Sequence, residues 1–276
     1  EKRSFKIPRS EFQSEEKTVL MNYSEIINRI GDHWKQKYGK KIFKITMHGD
    51  FTCPNMDGTA GSEGCIYCNM KALEPFIDLN DNNNPEDHMK YLKERNGAEG
   101  FIAYFQDYSS TYPSASIKDK TAYLKELYCK AVSHPDIVGI SVSTRPDAVS
   151  KTELDILKSL DTDVTIELGL QSINERDLEW LGRGHTVEQF TDTVELISGY
   201  GFDIVAHIIL GLPNETDEAL IELARFINSG KINGIKIHQL TVLKDTRLEK
   251  LYNENIAPEI LSENEYFRRL GILIRH

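Results

Sequence analysis

The stretch Asp203-Ile204-Val205-Ala206-His207-Ile208-Ile209-Leu210-Gly211-Leu212-Pro213 is apolar from Ile204 to Leu210 except at His207, and it gives way to a helical pattern over Asp217–Ser229. A near-continuous apolar strand followed by a helix is the signature of a strand covered on both faces, as in the parallel sheets of α/β proteins. Working outward, the same unit recurs. Strands are expected at Lys41–His48, Gly100–Phe105, Ile137–Ser143, Asp163–Leu170, Asp203–Leu210 and Gly234–Leu240. Helices are expected between them at Lys118–Ser133, Lys151–Leu160 and Thr186–Tyr200. Thr186 with Gln189 and Ser262 with Glu265 have the spacing of capping boxes. Six such units fit either an open doubly wound sheet or a partial barrel, and periodicity does not choose between them. Ahead of them, Tyr23–Tyr38 sets Ile26, Ile27, Ile30 and Trp34 at helical spacing. The division expected is an N-terminal arm and helix over 1–40 and an α/β body over 41–276, with Asn80–Pro85 an exposed loop.

A chain of 276 residues buries one large core. Its net charge of −10 argues against a dedicated nucleic-acid binder, whose affinity comes largely from neutralising phosphates. Lys35, Lys37, Lys40, Lys41 and Lys44 nevertheless fall close together, either as a local basic face or as a solvated helix end and strand start. No apolar run is long enough to span a bilayer, and the charged start Glu1-Lys2-Arg3 leads into no signal-like apolar stretch. The expectation is a cytoplasmic protein with no membrane partner.

Three of the four cysteines lie within 16 residues, as Cys53-x11-Cys65-x2-Cys68, directly after the first expected strand. Gly58, Gly61 and Gly64 between them permit positive φ and close backbone approach. Two metal sites suit this pattern: an iron–sulfur cluster on three thiolates, with one iron open to an exogenous ligand, or a Cys3His zinc site with His48 as fourth ligand. Cys129, in the pattern Leu124, Leu127, Tyr128, Val132, is expected to be a small core residue.

Each later strand ends in polar residues that a plain core does not need. Gln106 and Asp107 follow the second; Ser143, Thr144 and Arg145 end the third; Glu167 and Gln171 lie in and after the fourth; His207 is inside the fifth; His238 and Gln239 close the sixth. Functional groups gather at the C-terminal ends of strands in α/β barrels and in open parallel sheets. His207 and Glu167 are polar groups within strands and need partners, each other being one choice.

At these residues the chain resembles the radical S-adenosylmethionine superfamily, and within it the Elp3-like branch with its short bacterial YhcC/YtqA-type members. The resembling segments are Phe51-Thr52-Cys53-Pro54-Asn55, Gly64-Cys65-Ile66-Tyr67-Cys68, Tyr104-Phe105-Gln106, Ser143-Thr144-Arg145-Pro146-Asp147 and Glu167-Leu168-Gly169-Leu170-Gln171-Ser172. They continue with Arg183-Gly184-His185, His207–Pro213 and Lys236-Ile237-His238-Gln239-Leu240. The resemblance implies a partial (β/α)6 barrel of the TIM type. It implies a 4Fe–4S cluster held by Cys53, Cys65 and Cys68, whose open iron chelates S-adenosylmethionine. It also implies that Tyr67, Gln106, Ser143, Gln171, Arg183, His207, Leu210 and Gly211 line that cofactor, with Arg183 pairing its carboxylate.

The long x11 spacing departs from the superfamily's common Cys-x3-Cys-x2-Cys and narrows the likeness to this branch. An external flavodoxin- or ferredoxin-type reductant is implied. The Elp3-like likeness further implies modification of a tRNA wobble-uridine side chain, the alternatives being a radical enzyme acting on a small metabolite or a non-catalytic zinc-stabilised binding protein. Glu167 and His238 are the candidate acid–base residues. The chain stops at His276, earlier than the likeness suggests, so a further C-terminal segment over the substrate side is expected.

Overall fold

The computed structural model describes residues 27–69 and 85–276. Six strands form one sheet: β1 Ile42–Met47, β2 Gly100–Phe105, β3 Ile137–Thr144, β4 Asp163–Gln171, β5 Asp203–Leu210 and β6 Gly234–Gln239. They lie in the order β1-β2-β3-β4-β5-β6, and every neighbouring pair is parallel. An order that never reverses excludes the doubly wound sheet, which requires a switch point. The described helices are α1 Ile30–Tyr38, α2 Pro85–Asn96, α3 Lys120–Val132, α4 Lys151–Lys158, α5 Glu175–Trp180, α6 Val187–Ser198, α7 Asp217–Ser229, α8 Arg247–Asn253 and α9 Glu263–Arg275.

The sheet curls into a half-barrel. Flat, its outer strands β1 and β6 would stand about 24 Å apart. Instead Lys44 of β1 and Lys236 of β6 both contact the Glu167 carboxylate of β4. The pleat sends Ser141, Glu167 and His207 inward and Ile140, Val142, Ile166, Leu168, Ala206 and Ile208 outward. The outward set packs against Leu154 and Leu157 of α4, Phe190 and Ile197 of α6 and Leu220 and Leu223 of α7, which forms the main core.

Local signals account for the helix starts. Thr186 and Gln189 make the expected reciprocal capping box at α6, and Ser150 with Glu153 makes another at α4. Ser262 accepts the Glu265 N–H at α9, while the Glu265 carboxylate turns to Arg268 and Arg269.

Three expectations change. The N-terminal helix is Ile30–Tyr38, with the arm and residues 23–26 outside the described residues, as are 80–84 of the expected loop. Ile30 is 52% exposed and no α1 residue is buried, so its apolar spacing does not serve the core. The helix lies across the N-terminal end of the barrel, where Lys37 Nζ meets Asp163 Oδ1 at 3.3 Å and Asp203 Oδ2 at 3.4 Å, the first residues of β4 and β5.

Cys129 is exposed rather than a core residue, because α3 buries Leu124 and Tyr128 and the next position points about 100° away. The grouped lysines do not all share one face either. Lys37 is paired with two aspartates, Lys41 Nζ donates to the Asn96 carbonyl, and Lys44 points inside the barrel. Among the described residues no helix is long and apolar enough to cross a membrane.

Ile166, fully buried at the middle of β4, is a measure of this core. Ile166→Ala is expected to cost about 2–5 kcal/mol in urea unfolding, from lost transfer energy and the cavity left behind. Ile235→Ala, at a residue 37% exposed, is expected to cost much less.

Candidate functional site

Beyond the C-terminal end of β1 the chain forms a loop closed on itself. Phe51 makes an isolated antiparallel bridge to Pro113. Cys53 C=O accepts the N–H groups of Met56 and Asp57, Pro54 C=O those of Ala60 and Gly61, and Asn55 C=O that of Gly64. Asn55 is the hub. Its amide donates to the Gly182 carbonyl at 2.6 Å and to Cys65 Sγ at 3.5 Å. A Cβ on Gly61 would lie 2.3 Å from Asn55 Oδ1, and one on Gly184 2.9 Å from it, so both glycines are needed for Asn55 to sit there. Ile66 N–H donates to Leu181 C=O, and Arg247 donates to Gly64 C=O, which ties the loop to the segments around α5 and α8.

Two guanidinium groups stand over the cysteines. Arg183 is buried and committed on every side: Nη1 donates to Cys65 Sγ at 3.4 Å and to Tyr67 Oη at 3.2 Å, Nη2 to Gly169 C=O at 3.2 Å, and Nε to His185 Nε2 at 3.2 Å. Burial, then the charges of Arg183 and Arg145, push the His185 pKa down to about 3, which leaves a neutral ring able to accept that bond. Arg145 chelates Asp147 through Nε and Nη2, while its buried Nη1 has no hydrogen-bond partner among the described residues.

Burial opposes ionisation of Cys65, but Arg183, Arg145 and the hydrogen bonds from Arg183 and Asn55 outweigh it and lower its pKa. Desolvation, then the negative charges of Cys65 and Cys53, push Cys68 up to about 11. The three thiols therefore feel one another, yet among the described residues no three His, Cys, Asp or Glu side chains are gathered as one metal ion would need. His48 Nδ1 is bonded to Asp107 Oδ2 at 2.9 Å.

Inside the barrel a second constellation centres on Glu167. Its carboxylate receives Ser141 Oγ at 2.6 Å, His207 Nε2 at 2.8 Å, Tyr104 Oη at 3.1 Å, Lys236 Nζ at 3.4 Å and Lys44 Nζ. Burial would raise its pKa, but the His207 hydrogen bond and the two lysine charges hold it far below the carboxylate range. Tyr104 Oη also takes hydrogen bonds from Lys236 at 2.8 Å and Ser143 at 3.1 Å. The His238 ring lies tilted against that of His207, centroids 5.2 Å apart; burial, then His207 and Lys236, lower its pKa to about 4, so it is neutral near pH 7.

The residues singled out from sequence divide between these two places. Cys53, Cys65, Tyr67 and Arg183 belong to the cysteine end, and Ser143, Glu167, His207 and His238 to the interior. Gln171 ends β4 at φ +70°, buried, next to a register shift between Gly169 and Gln171. Such strained backbone in a non-glycine residue clusters at functional sites. Gln106 follows β2. The backbone at Leu210 and Gly211 is already engaged: Leu210 C=O accepts Leu240 N–H and Gly211 N–H donates to the Glu215 carboxylate. Sequence reasoning gave no role to Asn55, Arg145, His185, Tyr104 or Ser141. It also placed Lys44 on the surface and did not single out Lys236. The available signal was the pleat: lysines at inward positions of otherwise apolar strands.

Comparison with known proteins identifies the family and the fold. Residues 58–227 match the family model described as the Radical SAM superfamily. Protein YhcC of Escherichia coli K12 is 34% identical over 267 residues, covering 93% of this chain and 81% of that protein. Elongator complex protein 3 of Drosophila melanogaster is 30% identical over 155 residues, which is 55% of this chain but only 27% of that one. The archaeal Elp3 structure from Methanocaldococcus infernus aligns over 84% of this chain and 53% of its own with a TM-score of 0.55, at 17% identity, a likeness of fold.

Two outcomes follow from the geometry. A Cβ on Gly169 would stand 2.7 Å from Arg183 Nη2 and 2.9 Å from Gln171 Nε2, and Arg183 is too tightly bonded to yield. Gly169→Ala is therefore expected to lose about 1–3 kcal/mol in thermal or urea unfolding. Glu167, ionised far below its ordinary range, adds stability above its unfolded pKa of about 4.3 and loses it as pH falls. The stability gap between the wild type and Glu167→Gln should narrow as unfolding is measured from pH 7 down to pH values below about 5.

Proposed function

Because the chain belongs to the radical S-adenosylmethionine superfamily, we propose that it is an enzyme that cleaves S-adenosylmethionine reductively at a cluster held by Cys53, Cys65 and Cys68. The superfamily uses a 4Fe–4S cluster and S-adenosylmethionine. Held by Cys53, Cys65 and Cys68 and charged by an external reductant, the cluster would supply the one electron that S-adenosylmethionine needs for its sulfonium bond to break, which would turn the pair into an oxidant for an unactivated C–H bond.

The observation that carries this reading is the buried Arg183–Asn55–Cys65 arrangement. A lone buried thiol would stay protonated; two guanidinium groups and an amide donor instead favour the thiolate that ligation needs. The residues present fit the group. The donor set is all sulfur, glycines clear space around the loop, and the orphaned Arg145 Nη1 is a buried cationic donor in want of an anion. Arg183 orients Cys65 and Tyr67. Arg145, having a free donor, is in our reading the better partner for the cofactor carboxylate, with Arg183 holding the cysteine beside it. Tyr67, Gln106, Ser143, Gln171, His207, Leu210 and Gly211 complete the proposed cofactor surround. An external flavodoxin- or ferredoxin-type reductant would supply the electron.

Two substrate readings follow. Likeness to the Elongator proteins over about half of this chain supports a tRNA wobble-uridine side chain. A small-molecule substrate is favoured by a specific observation: of the lysines grouped in sequence, Lys44 turns into the barrel interior and Lys37 is paired with Asp163 and Asp203. Glu167, fully engaged and ionised, serves to position Lys44, Lys236 and His207 rather than to donate protons.

Anaerobic reconstitution with iron and sulfide tests the reaction. Broad visible absorption, with 5′-deoxyadenosine formed on adding dithionite and S-adenosylmethionine, is expected in the wild type. Cys53→Ala, Cys65→Ala and Cys68→Ala should each abolish product. A colourless protein with stoichiometric zinc would overturn the reading.

A further inference from the structure

At the N-terminal end of the half-barrel, away from the cysteines, lies a cavity of about 1180 Å³ between α1 and the starts of the strands, room enough for a small molecule. On its rim Arg29 pairs with Asp32 and Lys37 with Asp203, while Glu99 accepts the Lys41 backbone N–H. Its inner wall is different. Lys44 and Lys236, both lining the cavity, share the single carboxylate of Glu167; burial lowers the pKa of neighbouring His207 against the pull of Glu167, and His238 is lowered to about 4.

On the inner wall two lysines thus share one carboxylate, with burial drawing the Lys44 pKa down, inside a protein of net charge −10. Each ammonium has three donors. Lys44 spends one on Glu167 and otherwise lies 3.9 Å over the Tyr104 ring; Lys236 spends two, on Glu167 and Tyr104. Donors remain for a ligand oxygen. Glu167 has no such capacity left, because five groups already crowd its two oxygens. Trp34, Phe43, Ile235, Ile237 and Ile274 supply an apolar lining on the same cavity.

We propose that this cavity binds an anionic small molecule, whose carboxylate or phosphate is held by Lys44 and Lys236 and whose apolar part lies against Trp34, Phe43 and Ile235. This deepens the small-molecule reading of the proposed function: the cavity wall is continuous, through Glu167, Tyr104 and Ser143, with the residues assigned to the cofactor surround. The two lysines fix the acid end, and a barrel with a cofactor at one end and an anion anchor at the other selects substrates by length. A lysine ammonium that shares its counter-ion in a partly desolvated wall costs solvation free energy that an incoming anion offsets.

The test is a titration of inorganic phosphate, and separately of succinate, into the reconstituted protein at constant ionic strength set with sodium chloride. The emission of Trp34 is followed in a Trp180→Phe background, which leaves one tryptophan. Saturable change with either anion is expected, and the tighter of the two identifies the headgroup. Lys236→Met and Lys44→Met should each weaken binding about tenfold, the loss of one charge-assisted hydrogen bond. Glu167→Gln, which frees the lysines, should tighten it.

A response no different from chloride, or one unmoved by Lys236→Met and Lys44→Met, overturns the site. The same preparations are assayed for 5′-deoxyadenosine. Product without anion binding would sink this inference and leave the proposed reaction standing; saturable, lysine-dependent binding without product would do the reverse.

Discussion

The half-barrel depends on one buried carboxylate. Glu167, on the inner face of β4, is an ion that water does not solvate, and its charge has to be met by cations from elsewhere. They come from the two ends of the sheet, Lys44 on β1 and Lys236 on β6. Removing one partner of such a cluster typically costs about 3–5 kcal/mol, because the other charge is left stranded. Strands distant in sequence are thus drawn around a common centre. The polar interior that results could not be filled by apolar packing alone. The outer face supplies the ordinary hydrophobic core, and the inner face supplies an arrangement of charge.

The same division separates two chemical environments. At the C-terminal end, Arg183 and Arg145 place positive charge against the cysteine loop, and the glycines at 61, 169 and 184 leave room for Asn55 and Arg183 to approach. At the N-terminal end, α1 lies across the opening, tied by Lys37 to the starts of β4 and β5. Between them stands the network of Tyr104, Ser141, Ser143, Glu167 and His207, fixed by hydrogen bonds that occupy both oxygens of Glu167. Such saturated networks rigidify what they hold.

Much of this was legible in the sequence. The six strands and the helices between them follow from apolar runs and capping residues, and all six strands fall within one residue of expectation at each end. The exact curvature did not follow from pattern: strand order and the resemblance of the motifs decided it. His207 and Glu167, read as partners because each interrupts an apolar strand, are bonded at 2.8 Å. Lys44 was misread because its sequence neighbours Lys37, Lys40 and Lys41 suggested a surface cluster. Strand pleating, not proximity in sequence, decides which side a residue faces. Cys129 was misread for the corresponding reason on a helix. Arg145 was quoted within a motif, but nothing in a linear sequence marks one nitrogen of a guanidinium as unpaired; only packing does.

We propose that the cysteine loop and its guanidinium pair form the site where S-adenosylmethionine meets an iron–sulfur cluster. Electron paramagnetic resonance of the reconstituted, dithionite-reduced protein, recorded with and without S-adenosylmethionine, tests it most directly. The account predicts a reduced-cluster signal whose g-values shift when S-adenosylmethionine is added, and whose shift weakens in Arg145→Met. A signal identical with and without S-adenosylmethionine, or no iron–sulfur signal at all, would contradict it.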